Sequence, residues 1–491
     1  MDIRGSDGGN GSAQLDPRHG SPTTSPLEIS VRPVRAMGLR DLVLFYVVTG
    51  ISLRWIATAA AAGPGSIVVW IIAWAAFYIP LALSVVELSS RYPDEGGLYV
   101  WSKRAFGGFA GFISAWTYWT SNLPYFPAIL YFAASNALFI GGPRWQSLAS
   151  NRLYFLGFSL VGLAIPTVLN VLGLDVGKWL SNVGALGMWI PVLIVIALGL
   201  VSWHRYGSAT HFTAASLIPS FHIKDVLFWA SLTYAFGGCE AASFMSEEIK
   251  DPRRNIPRAL LLGGATVTLV YIVGTIFVLL AVPSREVSEI QGLIQALSVT
   301  GQHLGLLWVI PVVAVLISLS NLGASGAYLA ATARLPFVAG IDRFLPAVFG
   351  RLHPRYKTPD VAIWTQCVAG MIFIVLGQAG TSVKGAYDVL VSMGVITYFI
   401  PYLFVFASLI VLQREPAGTG VIRVPGGRRV AIVLGTVGFA TTTLMILLSL
   451  LPSPDDPNKV LAVTKVLGLT AVLLAIGVLV YLNGKARARR G

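Results

Sequence analysis

The sequence predicts an all-α polytopic membrane protein with about 12 transmembrane helices. Of its 491 residues, 55% are hydrophobic and only 12% are charged, whereas about 25% of residues in a soluble domain are charged. Apolar runs of about 20 residues or more recur along the chain, and each is long enough to cross a hydrocarbon layer about 30 Å thick. Because these runs are continuous rather than alternating in polarity, they exclude a transmembrane β-barrel.

The predicted spans divide the chain into a helical domain and two polar tails. Their limits are approximately 41–62, 66–88, 107–139, 153–174, 179–203, 225–248, 259–282, 305–334, 360–379, 385–412, 429–451 and 459–482. The helical domain therefore covers residues 41–482, and residues 483–491 form a basic tail. Residues 1–40 are rich in Gly, Ser, Pro and Asp, lack the apolar core of a cleaved signal peptide, and are predicted to be disordered.

The net charge of +13 indicates orientation rather than a nucleic-acid partner. With the N-terminus in the cytoplasm, 26 of the 35 Lys and Arg residues fall on the inner side and seven on the outer side. This asymmetry follows the positive-inside rule, so both termini are expected in the cytoplasm and the spans in the cell membrane. The other two basic residues, Arg54 and Lys465, lie within spans.

The first span is interrupted near its middle, where Gly50-Ile51-Ser52-Leu53 precedes Arg54. Such an interruption leaves backbone groups unpaired, which a membrane tolerates only where protein or water satisfies them. An arginine at this depth normally faces a cavity or an acid. Two alternatives stay open: the glycine only permits close helix packing, and Arg54 extends to the outer interface.

The third span carries Tyr118 and Asn122, which are four residues apart and share a helical face. Both are candidates for contact with a ligand, and hydrogen bonds between helices are the alternative. The link before this span turns at Pro93 and the two glycines that follow it, and Leu98–Arg104 is predicted to form a short interfacial helix.

The sixth span weakens at Phe236-Gly237-Gly238-Cys239, and Glu240 follows at once. Glycine costs about 1 kcal/mol in a helix relative to alanine, so the helix is expected to break here. A carboxylate beside this point is costly in hydrocarbon unless it meets a cavity, a partner or a ligand. A broken helix with an ionisable group at mid-depth is how secondary transporters build a binding site.

The eighth span contains Ser320 and Asn321, whose oxygens are candidate ligands of a sodium ion. Their alternative role is to bond the carbonyls of their own helix. Ser325, on the same span, is a candidate for substrate contact. The sequence has no P-loop, dinucleotide-binding motif or zinc pattern, so neither a cofactor nor a metal site is expected. Its two cysteines, Cys239 and Cys367, do not imply a disulfide framework.

Four stretches resemble the amino acid/polyamine/organocation (APC) transporter superfamily. They are AAAGPGSIVVW through VVELSSRYPDEGGLYVWSKRAFG, TYAFGGCEAASFMSEEIKDPRRNIPRAL, ATARLPFVAGIDRFLPAVFGRLHPRYKTP, and VIRVPGG. The resemblance implies a leucine-transporter-like fold, with inverted five-helix repeats at 41–203 and 225–412 and two further helices at 429–482. It also implies that helices 1 and 6 are broken and meet at the middle of the membrane.

The resemblance also implies roles for individual residues. In the family, amides of the stretch matching Gly50–Leu53 hold a substrate carboxylate, and carbonyls of the stretch matching Phe236–Cys239 receive its amino group. Glu240 matches an acid implicated in gating and proton coupling, and Tyr234 or Phe236 matches the aromatic residue that closes over the substrate.

Two departures from the family bear on these roles. Arg54 is unusual in helix 1 and is predicted to pair with Glu240 until substrate binds. Met188 occupies the position where some proton-coupled relatives carry a lysine, which argues against a lysine-based proton mechanism.

The resemblance implies a secondary active transporter rather than an enzyme, moving amino acids or related amines by alternating access. Its partners are then the substrate, a coupling proton or sodium ion, and the lipid bilayer. An obligate exchanger or polyamine carrier is the first alternative, and a membrane sensor that does not transport is the second.

Overall fold

The computed structural model describes residues 37–93, 96–241, 243, 249–336, 344–379, 382–416, 418, 420–452 and 458–488. The predicted N-terminal tail lies outside this part of the chain except for its last four residues. Regular structure in the described part is helical, apart from one isolated β-bridge between Met37 and Ile249. The α-helices are α1 (Leu39–Gly50), α2 (Leu53–Ala61), α3 (Ser66–Ala73), α4 (Ile79–Arg91), α5 (Leu98–Phe106), α6 (Gly108–Ala137), α7 (Arg152–Val171), α8 (Leu174–Tyr206), α9 (Ala214–Leu217), α10 (Ile223–Tyr234), α11 (Pro252–Ala281), α12 (Gly292–Leu304), α13 (Val309–Thr332), α14 (Asp360–Gln378), α15 (Val383–Leu412), α16 (Gly427–Ser449) and α17 (Lys459–Ala488).

Ten of the described helical segments are long and apolar enough to cross a membrane. The second span is one of them, and a π-helical turn at Trp74–Tyr78 joins α3 to α4 within it. The first and sixth predicted spans are not among the ten, because α1, α2 and α10 have only 12, nine and 12 residues. The predicted fold class is confirmed, and the two spans without a long helix are those predicted to be broken.

The break in the first span is a short extended segment. Ile51 (φ −100°, ψ 130°) and Ser52 (φ −131°, ψ 121°) separate α1 from α2. Gly50 also lies close to α11, since a Cβ atom there would be 3.3 Å from Val267 Cγ2. The glycine therefore serves close helix packing as well as preceding the break, so the two interpretations of this stretch both hold.

The break in the sixth span is a series of turns that requires glycine. Helix α10 ends at Tyr234, and Gly238 has φ +105°, a conformation that other residues rarely adopt. Gly237 is equally constrained, because a Cβ atom there would lie 2.3 Å from the Tyr398 ring. The predicted continuation of this span to residue 248 falls mostly outside the described residues.

Helix α6 lies at the centre of the helix bundle, and α16 and α17 lie at its periphery. The apolar core of α6 is 83% buried, whereas those of α16 and α17 are 28% and 22% buried. Helices α8 and α13 pack closely through glycine, since a Cβ atom at Gly187 would lie 2.5 Å from the Leu316 carbonyl oxygen. The two breaks are therefore enclosed by protein, as unpaired backbone in a membrane requires.

Two shorter helices lie in the links between spans. Helix α5 confirms the short helix predicted at Leu98–Arg104 and extends it to Phe106. Helix α12 was not predicted, because its 13 residues are too few to cross a membrane and its sequence carries no clear capping signal. It buries Leu293, Ile294 and Leu297 against the rest of the protein.

A buried carboxylate ties the end of α4 to the link between α15 and α16, on the side predicted to face the cytoplasm. Glu87 is 1% exposed and pairs with Arg91 Nη2 at 2.8 Å. It also accepts hydrogen bonds from Gln413 Nε2 at 2.7 Å and from the Val424 backbone N–H at 2.8 Å. This network satisfies the buried charge and holds the VIRVPGG stretch against α4.

We expect Glu87→Gln to lower the free energy of unfolding by about 3 kcal/mol, because it leaves the buried Arg91 without its counter-charge. Thermal unfolding in detergent would measure the loss. Glu415→Gln is the matched control: Glu415 lies in the same link but is 37% exposed. The Tyr92 hydroxyl and then the Arg104 guanidinium hold its pKa below the ordinary value. If both variants lose the same stability, burial of the Glu87 network is not what makes it important.

Candidate substrate-binding site

A small cavity lies between the two helix breaks. It encloses about 20 Å³, which is room for about one water molecule. Its lining comes from both breaks and from α6, α13 and α15. We call it the central cavity, and its residues are Thr49, Gly50, Ser52, Arg54, Trp55, Ser121, Asn122, Tyr125, Tyr234, Ala235, Gly237, Tyr328 and Tyr398.

The structure brings part of the predicted site together around this cavity. The predicted residues that line it are Gly50, Ser52, Arg54, Asn122, Tyr234 and Gly237. Other predicted residues are buried outside the lining, namely Ile51, Leu53, Tyr118, Phe236, Gly238, Cys239, Glu240, Ser320, Asn321 and Ser325. The lining thus joins backbone from both breaks to polar side chains of α6.

Sequence reasoning missed several lining residues, above all the tyrosines. Tyr125 could have been found, because it follows Asn122 by three residues and so shares its helical face. Tyr328 has the same spacing from Ser325. Tyr398 carries no comparable signal, because a lone tyrosine in an apolar span is equally compatible with an ordinary packing role.

The Tyr271 hydroxyl group, from α11, connects the two breaks. It lies 2.8 Å from the Gly50 carbonyl oxygen and 3.2 Å from that of Ala235, and it accepts the Ser52 N–H at 3.0 Å. The ring is fully buried and stacks on Trp70 at 4.5 Å. One side chain therefore satisfies backbone groups on both sides of the cavity.

Glu240 lies beside the cavity and is fully buried. Its Oε1 accepts hydrogen bonds from the hydroxyl groups of Tyr118 at 2.5 Å and Tyr398 at 2.9 Å. Its Oε2 accepts the Gly238 backbone N–H at 3.3 Å. All three donors are neutral, and Tyr398 places Glu240 next to the cavity lining without exposing it there.

The predicted pair between Arg54 and Glu240 is absent from this conformation. The physical reason is that two phenols and a backbone amide already occupy the carboxylate. Tyr398 also stands between the carboxylate and the cavity that Arg54 lines.

Arg54 faces the central cavity and is only 1% exposed, so the alternative of an arginine extending to the interface is wrong. Its guanidinium carbon lies 4.1 Å from the centre of the Trp55 ring and 5.6 Å from that of Tyr125. Its Nε and Nη1 atoms, like Ser52 Oγ, have no hydrogen-bond partner among the described residues. The guanidinium is therefore stabilised by aromatic faces and remains available to an anion.

The start of α2 adds to this positive potential. No side chain caps the helix, and the N–H groups of Leu53 and Arg54 have no acceptor within the described part of the chain. A helix N-terminus carries a partial positive charge that attracts carboxylates. This end of the central cavity is therefore suited to bind an anion.

Of the two aromatic residues predicted to close over a ligand, Tyr234 is the one at the cavity. It packs edge-on against Trp55 at 5.5 Å and against Tyr398 at 5.2 Å. Phe236 instead packs against Trp70 at 5.5 Å and Tyr271 at 5.9 Å, away from the lining. The turn after Tyr234 decides which ring faces inward.

A second cavity of about 110 Å³ lies beyond Trp55, which lines both cavities. We call it the vestibule. Trp55 also packs against Tyr234, which lines the central cavity. Its lining is Trp55, Thr58, Leu227, Phe228, Ala230, Ser231, Glu289, Tyr387, Asp388, Val391, Ser392, Val395, Ser449 and Leu451.

The candidate cation site on α13 uses its polar side chains within the helix. Asn321 Nδ2 donates to the Ile317 carbonyl oxygen at 2.6 Å, and Ser325 Oγ donates to the Asn321 carbonyl oxygen at 2.9 Å. Ser320 lies against the glycines of α8. Asn321 therefore makes the bond to its own helix that the alternative role predicts, and Ser325, the candidate for substrate contact, does the same. The described residues also contain no group of three or more His, Cys, Asp or Glu side chains arranged for a metal ion.

Comparison with known proteins agrees with this architecture. The model of the amino acid permease family matches residues 38–478, which is most of the chain. The chain belongs to the amino acid permease family. The resemblance to the APC superfamily is thereby confirmed, and the protein is a membrane transporter rather than an enzyme.

Three relatives illustrate the range of this family. An uncharacterized transporter of Legionella pneumophila is 28% identical over 434 residues, covering 87% of this chain and 91% of the relative. A probable agmatine/putrescine antiporter of Lactococcus lactis is 24% identical over 73% of this chain and 75% of its own. A glutamate/serine transporter of Bacillus subtilis is 25% identical over 70% of this chain and 66% of its own.

We expect Tyr271→Phe to loosen both helix breaks, because it leaves the half-buried Ser52 N–H without an acceptor, at a cost of about 1–3 kcal/mol. Amide hydrogen exchange should accelerate at residues 50–53 and 235–238. Tyr78→Phe is the control, since its hydroxyl donates only to the Leu260 carbonyl oxygen at 2.9 Å and bonds neither break. Unchanged exchange at both breaks in Tyr271→Phe would mean that other contacts hold them.

Proposed function

We propose that this permease is a secondary active transporter that moves amino acids or related amines across the cytoplasmic membrane by alternating access, coupled to protons. The observation that carries the proposal is the central cavity itself. Two broken helices face each other there, and one contributes unpaired N–H groups and an unsatisfied arginine. In this arrangement a substrate would complete the hydrogen bonding that the breaks leave open.

The positions of the charges support a zwitterionic substrate. A carboxylate would bind at the start of α2, beside Ser52 and Arg54, and an ammonium group would face the carbonyl groups of the second break. The names of the relatives support the same chemistry, since one is a glutamate/serine transporter and another a probable agmatine/putrescine antiporter.

The size of the cavities supports alternating access. The central cavity, at about 20 Å³, is too small for an amino acid, so substrate must bind with a rearrangement of its walls. The vestibule shares Trp55 with the central cavity, and the Trp55 ring packs against Tyr234. We assign these two rings as the gate on the predicted outer side.

Glu240 is the group we assign to proton coupling. It is fully buried with neutral hydrogen-bond donors, and one of them, Tyr398, lines the central cavity. Binding or release of a proton there would change the hydrogen bonding of the whole cluster. Tyr398 would then transmit that change to the cavity wall. The helix-bonded side chains of α13 favour this route over sodium.

Exchange is the second candidate, because one relative is a probable antiporter. An exchanger requires counter-substrate on the far side of the membrane, whereas a proton symporter requires only the gradient. A polyamine carrier fits less well, because Arg54 places a positive charge at the cavity.

The proposal is tested with purified protein in proteoliposomes. A thermal-shift screen of amino acids, GABA and polyamines identifies ligands, since a ligand at 100 times its Kd stabilises by about 2.7 kcal/mol. Uptake of the radiolabelled hit under an inward proton gradient, with and without internal counter-substrate, then separates symport from exchange. If no compound is bound or transported, the proposal is wrong.

We expect Glu240→Gln to abolish accumulation driven by the proton gradient while leaving exchange of labelled for unlabelled substrate. Glutamine keeps the size of the side chain and an acceptor for the tyrosines but cannot release a proton. Glu415→Gln, outside the spans, is the control and should accumulate substrate as the wild type does. Gradient-driven accumulation by the Glu240 variant would exclude this residue as the proton carrier.

A further inference from the structure

We propose that Arg54 binds the side-chain carboxylate of the substrate, so that this permease selects acidic amino acids. The inference rests on the proposed function and names the substrate class of the same site. It depends on the presence of two anion-binding groups at one cavity.

The first group is the start of α2. The N–H groups of Leu53 and Arg54 have no acceptor within the described residues, and Ser52 Oγ is buried without a partner. These groups suit the α-carboxylate, because they lie where the helix is interrupted and their backbone donors are close together.

The second group is the Arg54 guanidinium. It projects from the start of α2 onto the face of Trp55 and toward Tyr125 of α6. The hydroxyl group of Tyr387, from α15, is buried and lies within electrostatic reach of the Arg54 guanidinium. Two donors of the guanidinium, Nε and Nη1, are therefore left without a hydrogen-bond partner among the described residues.

One carboxylate could satisfy these donors together, because its two oxygens offer about four acceptor positions. Charge-assisted hydrogen bonds to a guanidinium are roughly twice as strong as neutral ones. A side-chain amide, by contrast, would bring no charge and would present N–H groups toward other donors.

The charged groups nearby do not supply this carboxylate. Within the described part of the chain, Arg54 has no ion pair, and Glu240 is occupied by its tyrosines. Glu289 and Asp388 line the vestibule together with Trp55 and Tyr387. A neutral amino acid brings one carboxylate for two anion-binding groups, whereas an acidic amino acid brings two. A polyamine brings none and meets a buried positive charge.

The test compares acids with their neutral amides of the same shape, L-glutamate with L-glutamine and L-aspartate with L-asparagine. Affinities are measured on the purified full chain by ligand-induced thermal stabilisation and by competition for uptake in proteoliposomes. We expect the wild type to bind the acids about 10- to 100-fold more tightly than the amides, which is the usual range for charge-assisted hydrogen bonds.

Arg54→Gln should remove this preference by weakening the acids selectively. Arg54→Lys should retain part of it, because lysine keeps the charge without the planar fork of donors. Lys465→Gln is the matched control, because Lys465 is the other basic residue predicted within a span and lies outside both cavities. It should keep the wild-type preference.

The possible results distinguish failure of this inference from failure of the proposed transport function. If the wild type binds acids and amides equally, or if Arg54→Gln weakens both alike, Arg54 holds the α-carboxylate and the inference is overturned while transport stands. Preference for putrescine or agmatine would overturn it as well. Absence of any bound or transported amino acid or amine would instead remove the proposed function. If Arg54→Gln does not fold, the wild-type comparison and Arg54→Lys still decide.

Discussion

The hydroxyl group of Tyr271 is the interaction on which the rest of the site depends. A membrane does not supply partners for unpaired backbone groups, so a helix can break inside it only if side chains replace the lost hydrogen bonds. Tyr271 contacts Gly50, Ser52 and Ala235, which belong to both breaks. Two other phenols complete the arrangement, since Tyr328 donates to the Thr49 carbonyl oxygen at 2.8 Å and Tyr402 accepts the Gly238 N–H at 3.3 Å. Ser52 Oγ and the Arg54 guanidinium, which the phenols leave without partners, line the central cavity.

The two ionisable groups of the site are kept apart by the packing of aromatic side chains. Glu240 is held by phenols and a backbone amide behind Tyr398, whereas Arg54 rests on aromatic faces at the start of α2. Each charge is buried without a direct counter-charge among the described residues, which is costly in a medium of low dielectric. Substrate and proton are the mobile charges that can offset these costs. In the proposed mechanism, a site built in this way would couple the two without any contact between them.

The sequence predicted the fold class and the location of both breaks, because glycine beside a charged residue is unfavourable in an unbroken apolar helix that crosses a membrane. It could not identify Tyr271 or Tyr398, since a tyrosine in a span looks the same whether it bonds a helix break or simply packs. It left Tyr234 and Phe236 as equal candidates, because only the turn that follows α10 decides which ring faces the cavity. The predicted Arg54–Glu240 pair is absent because tyrosines lie between the two residues. The sequence does not reveal this, since those tyrosines belong to distant spans.

The position of Trp55 has a consequence for the order of events during transport. Its ring lines both cavities, packs against Tyr234 and carries the Arg54 guanidinium on its face. The indole cannot swing aside without disturbing the cation that rests on it. Neutralisation of the Arg54 charge by a substrate and closure of the Trp55 ring over the central cavity are therefore expected to occur together. Discrimination between ligands would then appear in their dissociation rates rather than in their association rates.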